Sequence, residues 1–559
     1  MSSYYEHVPL PFPDSTRLIE LHPGISSASL SCTILQRRLK DAPSYEAISY
    51  TWGAVDDQVP LECGLAGTSR DLMITRNCAQ MLCRIRSATG QRRLWVDAIC
   101  IDQENIDERN TQIAMMGSIY RGASRVVIDI GERSKDSDTA LGALMHCSEN
   151  RLYEMIPGLQ IRDTVEDLYR RAWFGRVWVL QEVYWAQETV VMCGDRLVPW
   201  SIFRPFKIWV YSRAAWEFQE HWYIKLPDEE PQMLSIGNHY NRIYRAREDL
   251  LSLLCKGRTC NATDTRDKVF AMLPLLADAY PEGLRADYNK STAQVFVETA
   301  MWLLSAVGLS FLPSAGGISK IAGVPSWVPD WSVQRLQRHT IGQAGLFQPL
   351  SAGLDTMPIA QVLSPGNVLK VRGVAVDKIR ITTAPLKTNI RSDSSELDDF
   401  ITGCRTYQTN DLRGPIRHPQ VRRWEQKTTE ERIHPPKWAA HVYGLPIENP
   451  GDISDNELAN VLNYFCCGRE LVQTERGSFG VAPMDTKPGD LVVCLLGSSV
   501  PYILRETRQD DSSGSSFRYR LIGESYLYGL MAGEGMKDID LAEARLQDAM
   551  APLADFHLE

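Results

Sequence analysis

The sequence predicts an α/β N-terminal domain with a parallel sheet, a helical middle region and a β-rich C-terminal domain. Three observations support this class. Between residues 45 and 200, short apolar runs alternate with amphipathic segments of helix length, which is typical of βαβ units. Residues 200–320 show mostly helical periodicity, and strand-like alternation dominates beyond residue 360. We therefore place the three domains at residues 1–200, 201–320 and 321–559.

The N-terminal elements follow from apolar periodicity and turn residues. Residues 94–101 form a nearly continuous apolar run, which is typical of a central strand buried on both faces. Asn105 is a suitable N-cap for the helix that follows, and Gly122 is a suitable stop. The remaining predicted elements are a strand at 45–50, a helix at 75–87, a strand at 125–130 and one apolar helix at 173–186.

The rest of the chain gives fewer but similar signals. Residues 242–255 are amphipathic at helical spacing, and the apolar run at 295–312 contains Glu298 and two serines, which favours a buried core helix over a membrane span. Strands are predicted at 369–381, with a possible bulge at Gly373, and at 491–496, 502–506 and 517–522.

Composition excludes several classes of protein. The balance of 44% apolar and 23% charged residues is that of an ordinary soluble protein, and the net charge of −9 gives no basic field for nucleic acid. The 13 cysteines occur without a zinc-ligand spacing, so we expect reduced thiols, no metal site and a cytoplasmic location. No G-x-G-x-x-G, P-loop or G-x-S-x-G motif is present.

Three segments combine uncommon residue types. They are YEAISYTWG at 45–53, LWVDAICIDQ at 94–103 and RAWFGRVWVLQE at 171–182. Together these motifs resemble the fungal heterokaryon incompatibility (HET) domain family, over residues 45 to about 186. The resemblance implies a role in fungal self/non-self recognition, innate immunity and programmed cell death.

The HET domain is itself similar in organisation to TIR domains, which have a flavodoxin-like α/β fold. TIR enzymes cleave the nicotinamide–ribose bond of NAD with a catalytic glutamate on a helix after a tryptophan-containing motif. This resemblance implies that Glu182 is the catalytic residue, and that NAD or a related nucleotide is a substrate rather than a cofactor. It also implies self-association, since TIR sites are commonly completed by a neighbouring protomer.

The residues themselves offer suitable chemistry for that reaction. A carboxylate at Glu182, on an apolar helix, is costly unless it is paired or functional, and it could stabilise the oxocarbenium-like cation of N-glycosidic cleavage. Aromatic faces could hold a planar base, and Gly53 would let the backbone approach a phosphate. The candidate substrate-binding residues are Ser49, Tyr50, Trp52, Gly53, Asp97, Trp173 and Arg176.

Structural roles compete with each of these assignments. Glu182 could instead form a buried ion pair with Arg176 or Arg125, Asp97 could cap a neighbouring loop, and the tryptophans could belong to the core. Two alternative functions follow: a non-enzymatic module for signalling and self-association, or a HET-like fold that binds another small molecule. The sequence shows no repeat-based sensor, so recognition would need a separate protein or the C-terminal region.

Overall fold

The structure is a computed structural model of the chain. The residues described are 4–25, 28–64, 69–150, 159–203, 250–276, 283–317, 319–333, 352–353, 356–363, 367–383, 385, 468–507, 517–527, 530–531 and 553–559. They divide into two compact units, residues 1–291 and 292–559, which are treated separately below.

In the described part of the first unit, nine strands form one mixed sheet. Their order across the sheet is β5-β4-β2-β1-β6-β3-β7-β8-β9. The strands are β1 (Ser15–Leu21), β2 (Ser31–Arg38), β3 (Glu46–Ser49), β4 (Gln58–Cys63), β5 (Arg70–Thr75), β6 (Arg92–Trp95), β7 (Arg125–Asp129), β8 (Thr189–Cys193) and β9 (Arg196–Pro199).

Helices connect these strands. The α-helices before residue 200 are α1 (Arg76–Ile85), α2 (Asp97–Cys100), α3 (Ile106–Gly122), α4 (Lys135–Asn150), α5 (Leu159–Tyr169) and α6 (Val179–Trp185). A 3-10 turn, Ala172–Gly175, precedes α6. The later part of this unit adds α7 (Leu250–Gly257), α8 (Asp267–Phe270) and a 3-10 turn, Leu273–Leu276.

Four neighbouring strands of this sheet run parallel. β3 pairs in parallel with β6 on one side and with β7 on the other, and β7 pairs in parallel with β8. Numbered along the chain, these four strands therefore lie in the order 2-1-3-4. This order creates a topological switch point between β3 and β7, where consecutive connections leave in opposite directions.

Several predicted elements are confirmed. The strand predicted at 45–50 is β3, the helix predicted at 75–87 is α1, and the strand predicted at 125–130 is β7. The Asn105 side chain accepts a hydrogen bond of 3.1 Å from the backbone N–H of Glu108, so the predicted N-cap of α3 is formed. The helix ends at Gly122 itself rather than one residue before it.

Two predictions are wrong in the same way. In each case, the segment predicted as a single element forms two consecutive elements. The run at 94–101 is a strand only to Trp95, and α2 begins at Asp97, whose carboxylate accepts a 2.7 Å hydrogen bond from the N–H of Ala98. The apolar helix predicted at 173–186 is instead a 3-10 turn followed by α6. Continuous hydrophobicity reports burial and does not distinguish a strand from a short buried helix.

The predicted middle region is helical where it is described. The helix predicted at 242–255 is seen from Leu250 onward, as α7, and residues 204–249 lie outside the described residues. The described residues from α7 to Ser291 belong to the first compact unit. The predicted domain limits at residues 200 and 320 stay predictions.

The second unit is rich in strands, as predicted. Within its described residues, the α-helix is α9 (Thr292–Val307). Its strands are β10 (Ala360–Leu363), β11 (Val368–Thr382), β12 (Arg469–Thr474), β13 (Phe479–Pro483), β14 (Leu491–Leu495), β15 (Tyr502–Thr507), β16 (Arg518–Glu524), β17 (Tyr526–Leu527) and β18 (Leu553–Leu558). Residues 391–467 are outside the described residues.

Five of these strands close into a barrel. The order β14-β15-β16-β18-β11 closes on itself because β11 also pairs with β14. β11 continues past this ring to pair with β12, and β12 with β13. Closure removes free sheet edges from the ring, and the core includes Val374, Val492 and Ile503.

β11 is long and irregular. Its register shifts between Ala375 and Asp377 against β14, and between Ile379 and Ile381 against β12. The bulge predicted at Gly373 is therefore displaced towards the end of the strand. Gly373 serves close packing instead, since a Cβ there would lie 2.5 Å from the carbonyl oxygen of Cys494.

One helical stretch of the second unit is strongly apolar. Among the described residues, only Thr292–Ser314 is long and apolar enough to cross a membrane by length and composition, and 44% of its most apolar window is buried inside the protein. Val295, Phe296 and Leu303 are among its buried residues. Core helices of soluble proteins give the same signal.

Candidate functional site

Three predicted site residues form one buried hydrogen-bond chain. The indole Nε1 of Trp173 donates to Ser49 Oγ at 2.7 Å, and Ser49 Oγ in turn donates to Glu182 Oε2. Ser49 is the last residue of β3, and Glu182 lies on α6. Each of the three residues is only 1% exposed, so the chain of hydrogen bonds is closed off from solvent.

Burial governs the charge of Glu182. It raises the pKa of this carboxyl group to about 7, although the positive charge of Arg176 and hydrogen bonds from Ser49 and Tyr120 oppose the rise. The alternative of a buried ion pair is not formed with either candidate partner. The Arg125 guanidinium pairs with Glu46 at 2.7 Å, and Arg176 donates to the carbonyl oxygen of Tyr50. Glu182 is thus held by neutral donors.

Trp52 and Asp97 form a second pair beside this chain. Trp52 Nε1 donates to Asp97 Oδ2 at 2.8 Å, so Asp97 ties the loop after β3 to the first turn of α2. Burial raises the pKa of Asp97, and the charge of Arg176 works against that rise. These contacts agree with the structural alternative for Asp97, in which its side chain holds a neighbouring loop.

Arg176, which donates to the carbonyl oxygen of Tyr50, connects the hydrogen-bond chain and the Trp52–Asp97 pair electrostatically. Arg176 is half-buried and acts on the pKa values of both Asp97 and Glu182. Tyr50 is buried, and desolvation holds the pKa of its hydroxyl well above the usual range. The arrangement places one half-buried cation near two carboxyl groups, of which Glu182 is fully buried and Asp97 partly buried.

A cleft of about 640 Å³ opens next to these residues. It lies where β3 and β7 end, which is the switch point of the parallel strands. Its lining consists of Thr51, Gly53, Ala54, Asp57, Arg76, Asn77, Gln80, Asp129, Ile130, Gly131, Glu132, Arg171, Ala172 and Trp173. Doubly wound sheets bind ligands at this position, outside the carboxyl ends of their strands.

The cleft contains only two of the predicted site residues, Gly53 and Trp173. Gly53 has a φ of +78°, and a Cβ there would lie 2.9 Å from Asn77 Cβ, so a glycine is needed for the loop to meet α1. The other six predicted residues are absent from the lining. They are Ser49, Tyr50, Trp52, Asp97, Arg176 and Glu182.

Sequence reasoning missed most of the cleft. Asp57 comes from the connection just before β4, and Arg76 and Gln80 come from the start of α1, neither of which was read as part of a site. A signal did exist, because Asp129 and Glu132 flank the end of a predicted strand, where sites of this class form. Arg171 donates to the carbonyl oxygens of Ile130 and Glu132, each at 2.9 Å, and thereby shapes that loop.

The charges of the cleft are largely paired with one another. Arg76 Nε lies 2.9 Å from Asp57 Oδ2, and Arg84 lies 2.5 Å from both Asp129 and Glu132. A ligand would therefore meet a polar surface of mixed sign. Among the described residues, no group of three or more histidine, cysteine, aspartate or glutamate side chains is arranged to hold a metal ion.

Comparison with known proteins decides the family. The profile of the heterokaryon incompatibility family, "Heterokaryon incompatibility protein (HET)", matches residues 45–182. Residues 45–182 are therefore a HET domain. A second profile, "Het-6 beta-barrel domain", matches residues 453–544. The closed barrel also uses β11 and β18, which lie outside that match.

One curated relative extends this result over the chain. "Heterokaryon incompatibility protein 6, OR allele" of Neurospora crassa is 23% identical, and the alignment covers 95% of this chain and 96% of that protein. No solved structure matches the chain. The matched HET domain runs from the start of β3 to Glu182 in α6 and includes the whole cleft lining.

Proposed function

We propose that this HET domain protein acts in fungal self/non-self recognition as a cell-death effector that cleaves the nicotinamide–ribose bond of NAD or a related nucleotide. The cleft between the ends of β3 and β7 carries the proposal, since sheets with the 2-1-3-4 strand order bind nucleotides at this switch point. The same order is that of the flavodoxin-like fold of TIR domains. The reaction itself is inferred by analogy with TIR enzymes.

The chemistry proposed for Glu182 is electrostatic. Departure of nicotinamide leaves an oxocarbenium-like cation on the ribose, and water then adds to give ADP-ribose and a proton. An ionised Glu182 beside the ribose would stabilise that cation. Glu182 is 1% exposed and lies behind Trp173, so cleavage requires a shift of the segment from Ala172 to Trp185.

The other candidate residues would hold the substrate in that shifted state. Trp52 and Trp173 offer aromatic faces for a base, and Arg176 offers a guanidinium for the pyrophosphate. Ser49, Tyr50 and Asp97 would flank the ribose, and Gly53 would admit a phosphate close to the backbone. We propose that self-association in the cytoplasm completes the site, with a separate sensor protein or the C-terminal region as trigger.

The deciding experiment is nicotinamide release from NAD by the purified full chain, at low and high protein concentration. Glu182→Gln keeps the volume and a hydrogen-bond acceptor but removes the charge, so release should be lost. Glu188→Gln, at an exposed position three residues after α6, is the matched control and should keep full release. Release that persists in Glu182→Gln would overturn the assignment of the carboxylate.

A non-enzymatic module for signalling and self-association is the second candidate. The burial of Glu182 and its neutral hydrogen-bond partners favour it, because a purely structural carboxyl group would look the same. Absence of nicotinamide release at high concentration would support this reading. A thermal shift with a different small molecule in the cleft, and none with NAD, would instead support a HET-like fold with another ligand.

A further inference from the structure

A segment beyond the matched HET region packs on the outer side of α6. We call its described residues, 257–276 and 283–288, the clasp. Backbone hydrogen bonds join it to the chain just before α6, from Val177 N–H to Asn261 O at 3.0 Å and from Asn261 N–H to Gly175 O at 2.5 Å. The indole Nε1 of Trp185, at the end of α6, donates to Pro274 O at 3.0 Å.

Asp267 is the central contact of the clasp. Its carboxylate accepts a hydrogen bond from Trp178 Nε1 at 2.9 Å and another from Tyr288 Oη at 2.5 Å. The residue is only 7% exposed. Trp178 immediately precedes α6, so one buried carboxyl group connects the start of this helix to the far end of the clasp.

The clasp is also anchored to α3, the helix against which α6 packs. The guanidinium of Arg109 lies 3.6 Å from the centroid of the Tyr288 ring, and Asn110 Oδ1 accepts a 3.0 Å hydrogen bond from the Tyr288 N–H. Trp185 is wedged against the same helix, because a Cβ at Gly117 would lie 2.8 Å from its indole nitrogen. α6 is therefore enclosed between α3 and the clasp.

We propose that the clasp is an autoinhibitory contact that keeps α6 closed, so that Glu182 stays buried until the clasp is released. The functional consequence of releasing the clasp rests on the proposed function, since exposure of Glu182 matters only if this residue acts in the cleft. Trp173 lines the cleft on one side and binds Ser49 on the other. A shift of the segment from Trp173 to Trp185 would thus remove the barrier between the cleft and Glu182.

Proton binding reinforces the closed state. Burial raises the pKa of Asp267 to about 6 and that of Glu182 to about 7. The charged and titratable groups that act on Asp267 are Asp264, Arg109 and Tyr288, and those that act on Glu182 are Arg176, Asp97 and Tyr120. Both carboxyl groups prefer the neutral form when enclosed, so a rise in pH through this range favours release.

Hydrogen exchange of the full chain tests the clasp without any assay of activity. Asp267→Ala removes both hydrogen bonds, and Trp178→Phe removes one donor while it keeps an aromatic ring. Because a lost buried hydrogen bond costs about 1 kcal/mol, exchange of the amides from 176 to 185 should accelerate about fivefold or more in both variants. Glu104→Ala is the control, since that carboxylate is exposed in the loop before α3 and lies outside the clasp and its contacts with α6.

Unchanged protection of α6 in both variants would overturn the proposal, as would equal acceleration in the control. If Asp267→Ala fails to fold, as judged by circular dichroism, Trp178→Phe decides alone. Nicotinamide release should rise with the loss of protection, and a fall in release by an opened variant would contradict autoinhibition. If no variant releases nicotinamide, NAD cleavage is contradicted, while the exchange rates still test the clasp.

Discussion

Single side chains around β3 show how environment assigns a role to a residue. Ser49 is an ordinary strand residue by sequence, yet it bridges Trp173 and Glu182 in the interior. Its hydroxyl is the reason that a carboxyl group can be buried there without an ion pair, because each buried polar atom needs a partner. Sequence reasoning selected all three residues, but it offered only an arginine as the partner of Glu182.

Gly53 gives a prediction at this scale. Gly53→Ala introduces strain at a φ of +78° and also a Cβ contact of 2.9 Å with Asn77, whereas Gly131→Ala introduces only the strain of a φ of +93°. Since an L-residue in the left-handed region costs roughly 1–2 kcal/mol, Gly131→Ala should cost about that much and Gly53→Ala clearly more. Urea denaturation of both variants measures the difference. Equal losses would mean that Asn77 yields without cost.

At the scale of elements, strands and helices were predictable where polarity alternated and turn residues marked the ends. The N-cap Asn105 and the strands β3, β7, β14 and β15 are examples. The continuous apolar runs at 94–101 and 173–186 were misread, because both sheet strands and short enclosed helices need apolar residues on all sides. The switch of structure at Asp97 is accompanied by a local hydrogen bond, from the N–H of Ala98 to the Asp97 carboxylate.

The candidate site was predictable only in part for a related reason. Its residues after β3 are contiguous in sequence, and a strand followed by a tight turn is a local signal. The cleft also uses Asp57, just before β4, and Arg76 and Gln80 of α1. Outside the cleft, the clasp places Asp267 against Trp178. These residues meet through tertiary packing, which periodicity and spacing do not encode.

The helix α6 and its clasp lead to a prediction on pH. Glu182 has a pKa of about 7 in the folded chain against 4.5 for the free group, so the folded state holds this proton more tightly. Its contribution to stability is complete below about pH 4.5 and is lost as the pH rises through 7. Between pH 5 and 8, this loss amounts to about 2 kcal/mol for Glu182 alone, at about 1.4 kcal/mol for each pKa unit.

Urea denaturation of the full chain at several pH values checks this sign. Glu182→Gln should flatten the curve between pH 5 and 8, because the amide does not titrate. Asp267, with a pKa of about 6, should leave part of the slope in that variant. A wild-type chain that gains stability over this range would contradict the burial of neutral carboxyl groups.

At the scale of the whole molecule, the division at residue 291 carries a prediction about independent folding. Residues 1–291 include the clasp and should unfold cooperatively on their own. Residues 1–200 lack it, which leaves the indole N–H groups of Trp178 and Trp185 without their acceptors and uncovers α6. Thermal melting followed by near-ultraviolet circular dichroism should show a cooperative transition for the longer fragment only. Equal transitions would mean that the HET domain is complete at residue 200.

The irregular strand β11 has a consequence for changes in chain length. Its two register shifts, at Ala375/Asp377 and at Ile379/Ile381, let one strand pair correctly with β14 and β12. Side chains alternate between the two faces of a strand, so the loss or gain of one residue there would exchange the faces of everything beyond it. One codon deleted at the first shift would turn the buried Ile379 towards water. This strand should accept substitutions at its exposed positions but almost no insertions or deletions.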